Sequence, residues 1–323
     1  MFLGVDHGTM AIRFAASGDG FWELSRERAA TLSPEEILML LEENLRLRQV
    51  DLVALTYSMG DGLSRIVRME DAPNRGLLQQ DGAGLHVGGG TRVFEAIRAS
   101  GWPAVLLPGI GRRSDIDPRM RVFSHGMSPE KVGLAYGVFR SGVSDFIISD
   151  ASSNTVTFGV LKGRIVGAID APIFAPGLIQ GPLDVGAIRK VDAGLWTANQ
   201  AFTEGGILSK AGRHRLEECE APERELALET LALFASMEMN ALSVLMRDLG
   251  SPAPALYLAG SPAQLITERV SKLLGREVRP LGTFAAASGC AWIAEDLFNG
   301  KDCILGLQAD EKIMSGGKRR PRR

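Results

Sequence analysis

At 323 residues, with 45% hydrophobic and 23% charged residues, the chain is long enough to bury two compact cores and too apolar to be disordered. A formal net charge of −2 argues against a broadly basic surface for nucleic-acid phosphates. Its three cysteines, Cys219, Cys290 and Cys303, show no paired metal spacing and no disulfide framework, which fits a reducing cytoplasm.

In chain order, Phe2 to Thr9 is a short apolar strand ending in a carboxylate, a glycine turn and a hydroxyl at Asp6-His7-Gly8-Thr9, and a second strand, Ala11 to Ala16, follows. No basic-then-apolar leader precedes Phe2, so secretion is not expected. Ser33-Pro34-Glu35-Glu36 has the form of a helix start: a hydroxyl cap, proline in the first turn, and carboxylates at the positive end of the helix. That helix runs to about Leu47, and Asp51 to Tyr57 is the next core strand, leading to a loop at Gly60 to Gly62. The stretch from Arg65 to Val87 is rich in turn residues and has no clear period, as an insertion or lid would. Gly88-Gly89-Gly90-Thr91 opens an amphipathic helix; its glycines suit either a plain cap or exposed N–H groups for an anion. Ala104 to Leu107 is a further strand. Ser128-Pro129-Glu130-Lys131 then opens a helix expected to link two lobes, with Gly133, Ala135 and Gly137 as a small face for close packing.

The second half repeats the opening. Phe146 to Ser149 is an apolar strand, Asp150-Ala151-Ser152-Ser153-Asn154-Thr155 is its turn, and Val156 to Leu161 leads away. An ungapped overlay sets Asp6 on Asp150 and Phe14 on Phe158. Gly181-Pro182-Leu183-Asp184 offers a carboxylate that reads either as a substrate-side catalytic residue or as a helix start. The apolar run from Leu226 to Leu249 is broken by Glu229, Glu238, Asn240 and Arg247, so it reads as a core helix and no membrane span is expected. Ala255 to Ala259 is a strand ending in Gly260-Ser261-Pro262, and Leu265, Ile266, Val270, Leu273 and Leu274 have helical spacing. Phe284 to Ala291 is a helix of small residues that can pack on the Gly133 face. The tail Lys318 to Arg323 is basic and reads as a solvated end.

These residue types form a coherent chemical set. Glycine lets backbone N–H groups approach a phosphate, a hydroxyl adds a donor, and a carboxylate holds hydrated Mg2+. On that basis Asp6 and Asp150 are candidates for metal-water binding and for positioning the attacking oxygen. Gly8, Thr9, Ser152, Ser153 and Thr155 are candidate phosphate contacts, and the Gly260-Ser261 turn can carry a nucleobase. Ser152 and Ser153 stand where glycines would make the closest cradle. Arg13 neutralises a phosphate if it faces the site, and makes a salt bridge if it faces away. The signatures of Walker-type NTPases, zinc hydrolases, CxxC redox proteins and serine esterases do not occur.

The order of phosphate turn, connecting helix, phosphate turn, adenosine turn and small-residue helix resembles the actin, Hsp70 and sugar/acetate kinase superfamily over nearly the whole chain. More narrowly, Gly4 to Thr9, Gly88 to Thr91, Ser124-His125, Ser128 to Gly133 and Ser149 to Thr155 are similar to methanogenesis marker protein 12, a family of methanogenic archaea with no assigned activity. The resemblance implies an α/β, two-lobed actin-like ATPase fold, a duplicated ribonuclease H-like unit. In that arrangement residues 1–143 form one lobe, to which a helix at 283–314 returns; residues 144–282 form the second lobe, and 315–323 is a basic flexible tail. It also implies ATP with Mg2+ in the cleft, with slow hydrolysis or phosphoryl transfer to a small molecule. The alternatives are a nucleotide-gated assembly factor with a protein partner, or a scaffold that has lost the nucleotide. A homodimer is the default from general oligomer statistics.

Overall fold

The computed structural model describes residues 1–18, 20–56, 62–72 and 88–316. Most of the Gly60 to Gly62 loop, the 73–87 part of the irregular stretch and the basic tail from Lys318 lie outside the described residues. Two compact units divide the chain: Met1–Gly142 joined by the segment from Phe284 onward, and Val143–Thr283.

The first unit begins with β1 (Phe2–His7), β2 (Ala11–Ala16) and β3 (Gly20–Ser25), then α1 (Arg26–Thr31) and α2 (Pro34–Leu45). It continues through β4 (Leu52–Leu55), β5 (Val67–Arg68), α3 (Gly89–Ala99), β6 (Ala104–Leu106), β7 (Ile110–Gly111), β8 (His125–Met127) and α4 (Glu130–Arg140). The second unit holds β9 (Phe146–Ala151), β10 (Thr155–Leu161), β11 (Arg164–Ile169), α5 (Val185–Asp192), α6 (Ala198–Thr203), α7 (Ile207–Lys210) and α8 (Ala221–Asp248). It ends with β12 (Ala255–Ala259), α9 (Ala263–Leu274) and β13 (Val278–Pro280). The chain then returns to the first unit with α10 (Ala285–Phe298), β14 (Cys303–Ile304), β15 (Leu307–Gln308) and α11 (Glu311–Gly316).

The two main sheets repeat one plan. The first has the order β3-β2-β1-β4-β6-β5, the second β11-β10-β9-β12-β13. In each, three antiparallel strands are followed by strands parallel to the first, β4 and β6 in one and β12 and β13 in the other. The central strand is an apolar run because both its faces are covered: every residue of β9 is buried, as is all of β4. The first core joins Leu3, Val5, Phe14, Leu41, Leu55 and Phe94 across sheet and helices.

Local signals explain the helices that flank the sheet. Ser33 caps α2, accepting from the Glu36 N–H at 3.2 Å, while the Glu36 carboxylate accepts from the Ser33 N–H at 2.7 Å; Ile37, Leu41 and Leu45 then bury one stripe. α4 and α10 cross with almost no space between backbones. A Cβ on Gly133 would lie 2.4 Å from the Ala286 carbonyl oxygen, and one on Gly289 would lie 1.9 Å from that of Gly133. Only glycine allows that approach. The Gly88 to Thr91 run has a similar explanation, since a Cβ on Gly89 would meet the Arg26 carbonyl at 2.2 Å where α3 abuts α1.

The ungapped overlay of the hairpins slips by one residue. Asp6 pairs with Arg13, whereas Asp150 pairs with Val156, because the second turn closes at Ala151 and Thr155 and is one residue shorter. Phe14 therefore sits opposite Val5 and Phe158 opposite Ile148.

Candidate functional site

In the first unit, Asp6 and His7 end β1, Thr56 follows β4, and both lie at the carboxyl ends of parallel strands, where open α/β sheets bind ligands. Asp6 is only 4% exposed, with the Arg13 guanidinium 3.9 Å away. Arg13 also donates to Glu23 at 2.7 Å, so its guanidinium lies between two carboxylates. Thr56 ties the turn to β4: its hydroxyl accepts from the His7 N–H at 2.9 Å and donates to the Val5 carbonyl at 3.2 Å.

Arg26 clasps the turn from the other side. Its Nε donates to the Gly8 carbonyl at 2.7 Å, its Nη2 to the His7 carbonyl at 3.2 Å, and its backbone N–H to the Met10 carbonyl at 3.0 Å. Three carbonyl dipoles that would repel an anion are thereby occupied, with a cation placed beside them. Burial, followed by the charge of Arg26, holds the His7 imidazole well below its ordinary range, so His7 is neutral at neutral pH and supplies no cation to a phosphate.

The start of α4 adds two charged groups. Lys131 is buried and its ammonium contacts Glu130 at 2.8 Å, while the Ser128 hydroxyl donates to the same carboxylate. Burial would raise the Glu130 carboxyl, but Lys131 and Ser128 outweigh it and hold the group below its ordinary value. The Cys290 thiol is pushed far up by burial and then by the charges of Asp6 and Glu130. It is an inert packing group rather than a nucleophile.

In the second unit, Asp150 is 8% exposed at the end of β9 and pairs in register with Ala259 of β12. The Gly260 turn follows at once. Gly260 has φ +106°, and a Cβ there would lie 2.3 Å from the Ala151 carbonyl and 3.0 Å from the Ser152 Cβ. The structure thus brings the Asp150 turn and the Gly260-Ser261 turn together, and the contact demands glycine on both conformational and steric grounds. Residues 176–180 brace the turn: Leu178 donates to the Ser152 carbonyl at 2.9 Å, and Ile179 and Gln180 to that of Ser153 at 2.9 and 2.8 Å. Ser152 and Ser153 need no positive φ, so serine costs the backbone nothing here.

The remaining expected residues fall as follows. Gly8 and Thr9 lie in the first turn, with Thr9 exposed, and Ser261 is exposed at the end of the Gly260 turn. Thr155 is fully buried, and its hydroxyl donates to the Pro176 carbonyl at 3.0 Å, which commits its hydrogen to bracing the turn. Asp184 caps α5, accepting from the Ala187 N–H at 3.0 Å, and its other oxygen meets Lys210 at 3.0 Å. Those bonds depress its carboxyl and give it the helix-start role. Arg26, Thr56, Glu130 and Lys131 as site groups were missed; Arg26 could have been suspected only from its place at the start of a short helix behind a third strand.

No family model matches the chain. A UPF0285 protein of Methanosarcina mazei is 48% identical over 322 residues, which span 96% of this chain and 99% of that protein. Another, of Methanocaldococcus jannaschii, is 38% identical over 328 residues, spanning 96% and 99%. The chain belongs to the UPF0285 family. Among solved structures, this UPF0285 chain is similar to an acetate kinase of Porphyromonas gingivalis, with TM-score 0.53 and 14% identity over 88% of this chain and 89% of that one. It is also similar to a ROK family glucokinase of Streptomyces griseus in complex with glucose and AMPPNP, with TM-score 0.50 and 15% identity over 91% and 99%. The likeness is one of fold: the chain has the α/β, actin-like ATPase fold of these kinases, as the order of turns and helices leads one to expect.

Proposed function

We propose that this UPF0285 protein binds ATP with Mg2+ and hydrolyses it slowly or transfers its phosphoryl group to a small acceptor, in a role linked to methanogenesis. The observation that carries the reading is the packing of two turns in the second unit, where Gly260 at φ +106° lies so close to the Ala151 carbonyl that only glycine fits. That approach holds the Gly260-Ser261 turn beside the buried Asp150, and it is on this turn that the base would lie. The first turn supports it, since Arg26 neutralises three carbonyls around Gly8.

The residues present fit Mg2+ in the manner usual for nucleotide enzymes. Among the described residues no group of three His, Cys, Asp or Glu could hold a metal; each unit instead has a buried carboxylate at the end of a strand, Asp6 in the first and Asp150 in the second, and either would hold the ion through water with phosphate oxygens completing the shell. When bound, the ion neutralises charge on the transferring phosphoryl group. In the first unit Asp6 would orient an attacking oxygen with Arg13 balancing its charge; in the second, Ser152 and Ser153 would donate to phosphate oxygens. The Gly260-Ser261 turn positions the base. A nucleotide-gated assembly factor would use the same contacts, and an acceptor screen separates the two uses.

Calorimetry with ATP, with and without Mg2+, tests the reading. Magnesium-dependent binding is expected, weakened by roughly tenfold or more in Asp6→Ala and in Asp150→Ala. No binding at millimolar ATP by a folded protein would overturn it.

A further inference from the structure

α8 carries a stripe that its own unit does not cover. Its inner face packs on β9, β10 and α9, burying Leu228, Leu231, Ala232, Ala235, Met239, Leu242 and Met246. On the other side Leu226 is 64% exposed, Leu233 41%, Met237 44% and Val244 63%. Together with Glu223, Thr230, Asn240 and Arg247, these residues follow an unbroken alternation of three and four along the helix, which is the spacing of a coiled-coil seam. The seam is about 36 Å long at the rise of an α-helix.

The seam is self-complementary in one register only. About a two-fold axis at Ala235, an antiparallel second copy sets Leu226 opposite Val244 and Leu233 opposite Met237. The same axis sets Thr230 opposite Asn240, two side chains able to hydrogen-bond, and Arg247 opposite Glu223, a carboxylate that also pairs with Arg213 of its own chain at 3.2 Å and would be shared between the two cations. Sliding the copy by one heptad faces Thr230 with Leu233 and uncovers Val244, or faces Met237 with Asn240 and uncovers Leu226. A parallel pairing faces Glu223 with Glu223 and Arg247 with Arg247. Arg247 has no ion pair among the described residues, so this cation is available to a second chain. The borders of the stripe are held in place: Arg269 of α9 pairs with Glu225 and Glu229 on one side, and Phe174 packs at a tilt against Phe234 with ring centroids 5.4 Å apart.

We propose that α8 is the dimer interface of this protein, pairing antiparallel with α8 of a second copy about a two-fold axis at Ala235. This isologous contact uses one patch twice, as closed dimers do. It also accounts for the apolar character of α8, which by length and composition alone would pass for a membrane span.

The test is sedimentation equilibrium of the full chain from nanomolar to high-micromolar concentration, with circular dichroism to confirm folding. A dimer is expected, lost in Leu233→Glu combined with Met237→Glu, both exposed sites that leave the fold intact. Arg247→Glu alone should weaken association by roughly tenfold through two repulsive pairs, and adding Glu223→Arg should restore it. In the Leu233→Cys, Met237→Cys double variant, oxidation should join position 233 of one copy to 237 of the other. A monomer at every concentration overturns the proposal, as does a dimer indifferent to these changes or a disulfide joining 233 to 233. A monomer whose folded form sediments with phosphatidylglycerol vesicles, and no longer does so with Leu233→Glu, would assign the stripe to a lipid surface instead.

Discussion

Glu238 is the residue whose surroundings are least compatible with its charge. It is wholly buried on α8, with Oε1 accepting from the Ala175 N–H at 3.1 Å and Oε2 lacking a hydrogen-bond partner. Burial pushes its carboxyl up to about 8; Thr157 and the Ala175 N–H pull it down, and Asp170 pushes it further up. As a neutral acid it can donate to the Thr157 hydroxyl, which itself donates to Ser149 at 2.9 Å, one residue before Asp150. Below the ordinary carboxyl value of 4.5 the folded and unfolded chains both hold this proton, and its contribution to stability does not vary with pH. Between there and about 8 the unfolded chain has lost the proton that the folded chain keeps, so stability falls as pH rises; above about 8 the loss is complete. Urea unfolding from about pH 5 to about pH 9 should show that decline. Glu238→Gln should flatten it and stabilise the alkaline end on the order of a few kcal/mol. An unchanged slope in the variant would mean that another group carries the proton. His7 behaves oppositely: already neutral, it should leave ATP affinity insensitive to pH across the ordinary histidine range, which calorimetry at two pH values checks.

At the scale of elements, two close approaches lend themselves to measurement. Gly133→Ala places a methyl within 2.4 Å of the Ala286 carbonyl, and neither α4 nor α10 can shift without disturbing β1, on which α10 also packs. A loss of about 3 kcal/mol or more in urea unfolding is expected, since backbone must move to relieve the clash. Gly260→Ala combines a 2.3 Å clash with a left-handed backbone. It should weaken ATP binding by at least about tenfold while leaving the secondary structure, read by circular dichroism, unchanged. The small-residue faces of α4 and α10 were legible in the sequence, because runs of glycine and alanine at helical spacing have few other uses. So were the cap of α2 and the extent of β2, which local chemistry sets. The unequal length of the two hairpin turns was not legible: Asp6 and Asp150 look alike in sequence, and only the strand pairing reveals the missing residue. The same limit hid Arg26, whose side chain reaches a turn that chain proximity does not indicate. It hid Glu238 too, which reads as a break in an apolar helix until β10 is seen beneath it.

For the whole molecule, the repeated sheet order β3-β2-β1-β4-β6 and β11-β10-β9-β12-β13 states the duplication more fully than the two hairpins could, since the parallel strands have no common motif. The repeats nonetheless differ in how the chain completes them. Val143–Thr283 is continuous and carries its whole sheet with α8 and α9 in one stretch. Met1–Gly142 lacks α10, which buries Ala286, Ala287, Cys290, Ala291, Ile293, Ala294 and Leu297 and packs on β1, β2, β4 and α4. Without it, an apolar sheet face and the Gly133 groove meet water, at a cost of about 25 cal/mol for each Å² uncovered. Residues 143–283 expressed alone should therefore unfold cooperatively in urea and give dispersed amide resonances. Residues 1–142 should be aggregated or molten, and should recover a cooperative transition when 284–316 is attached through a flexible linker. A well-folded 1–142 fragment would show that α10 is dispensable to the first core, and the close packing at Gly133 and Gly289 would then need another explanation.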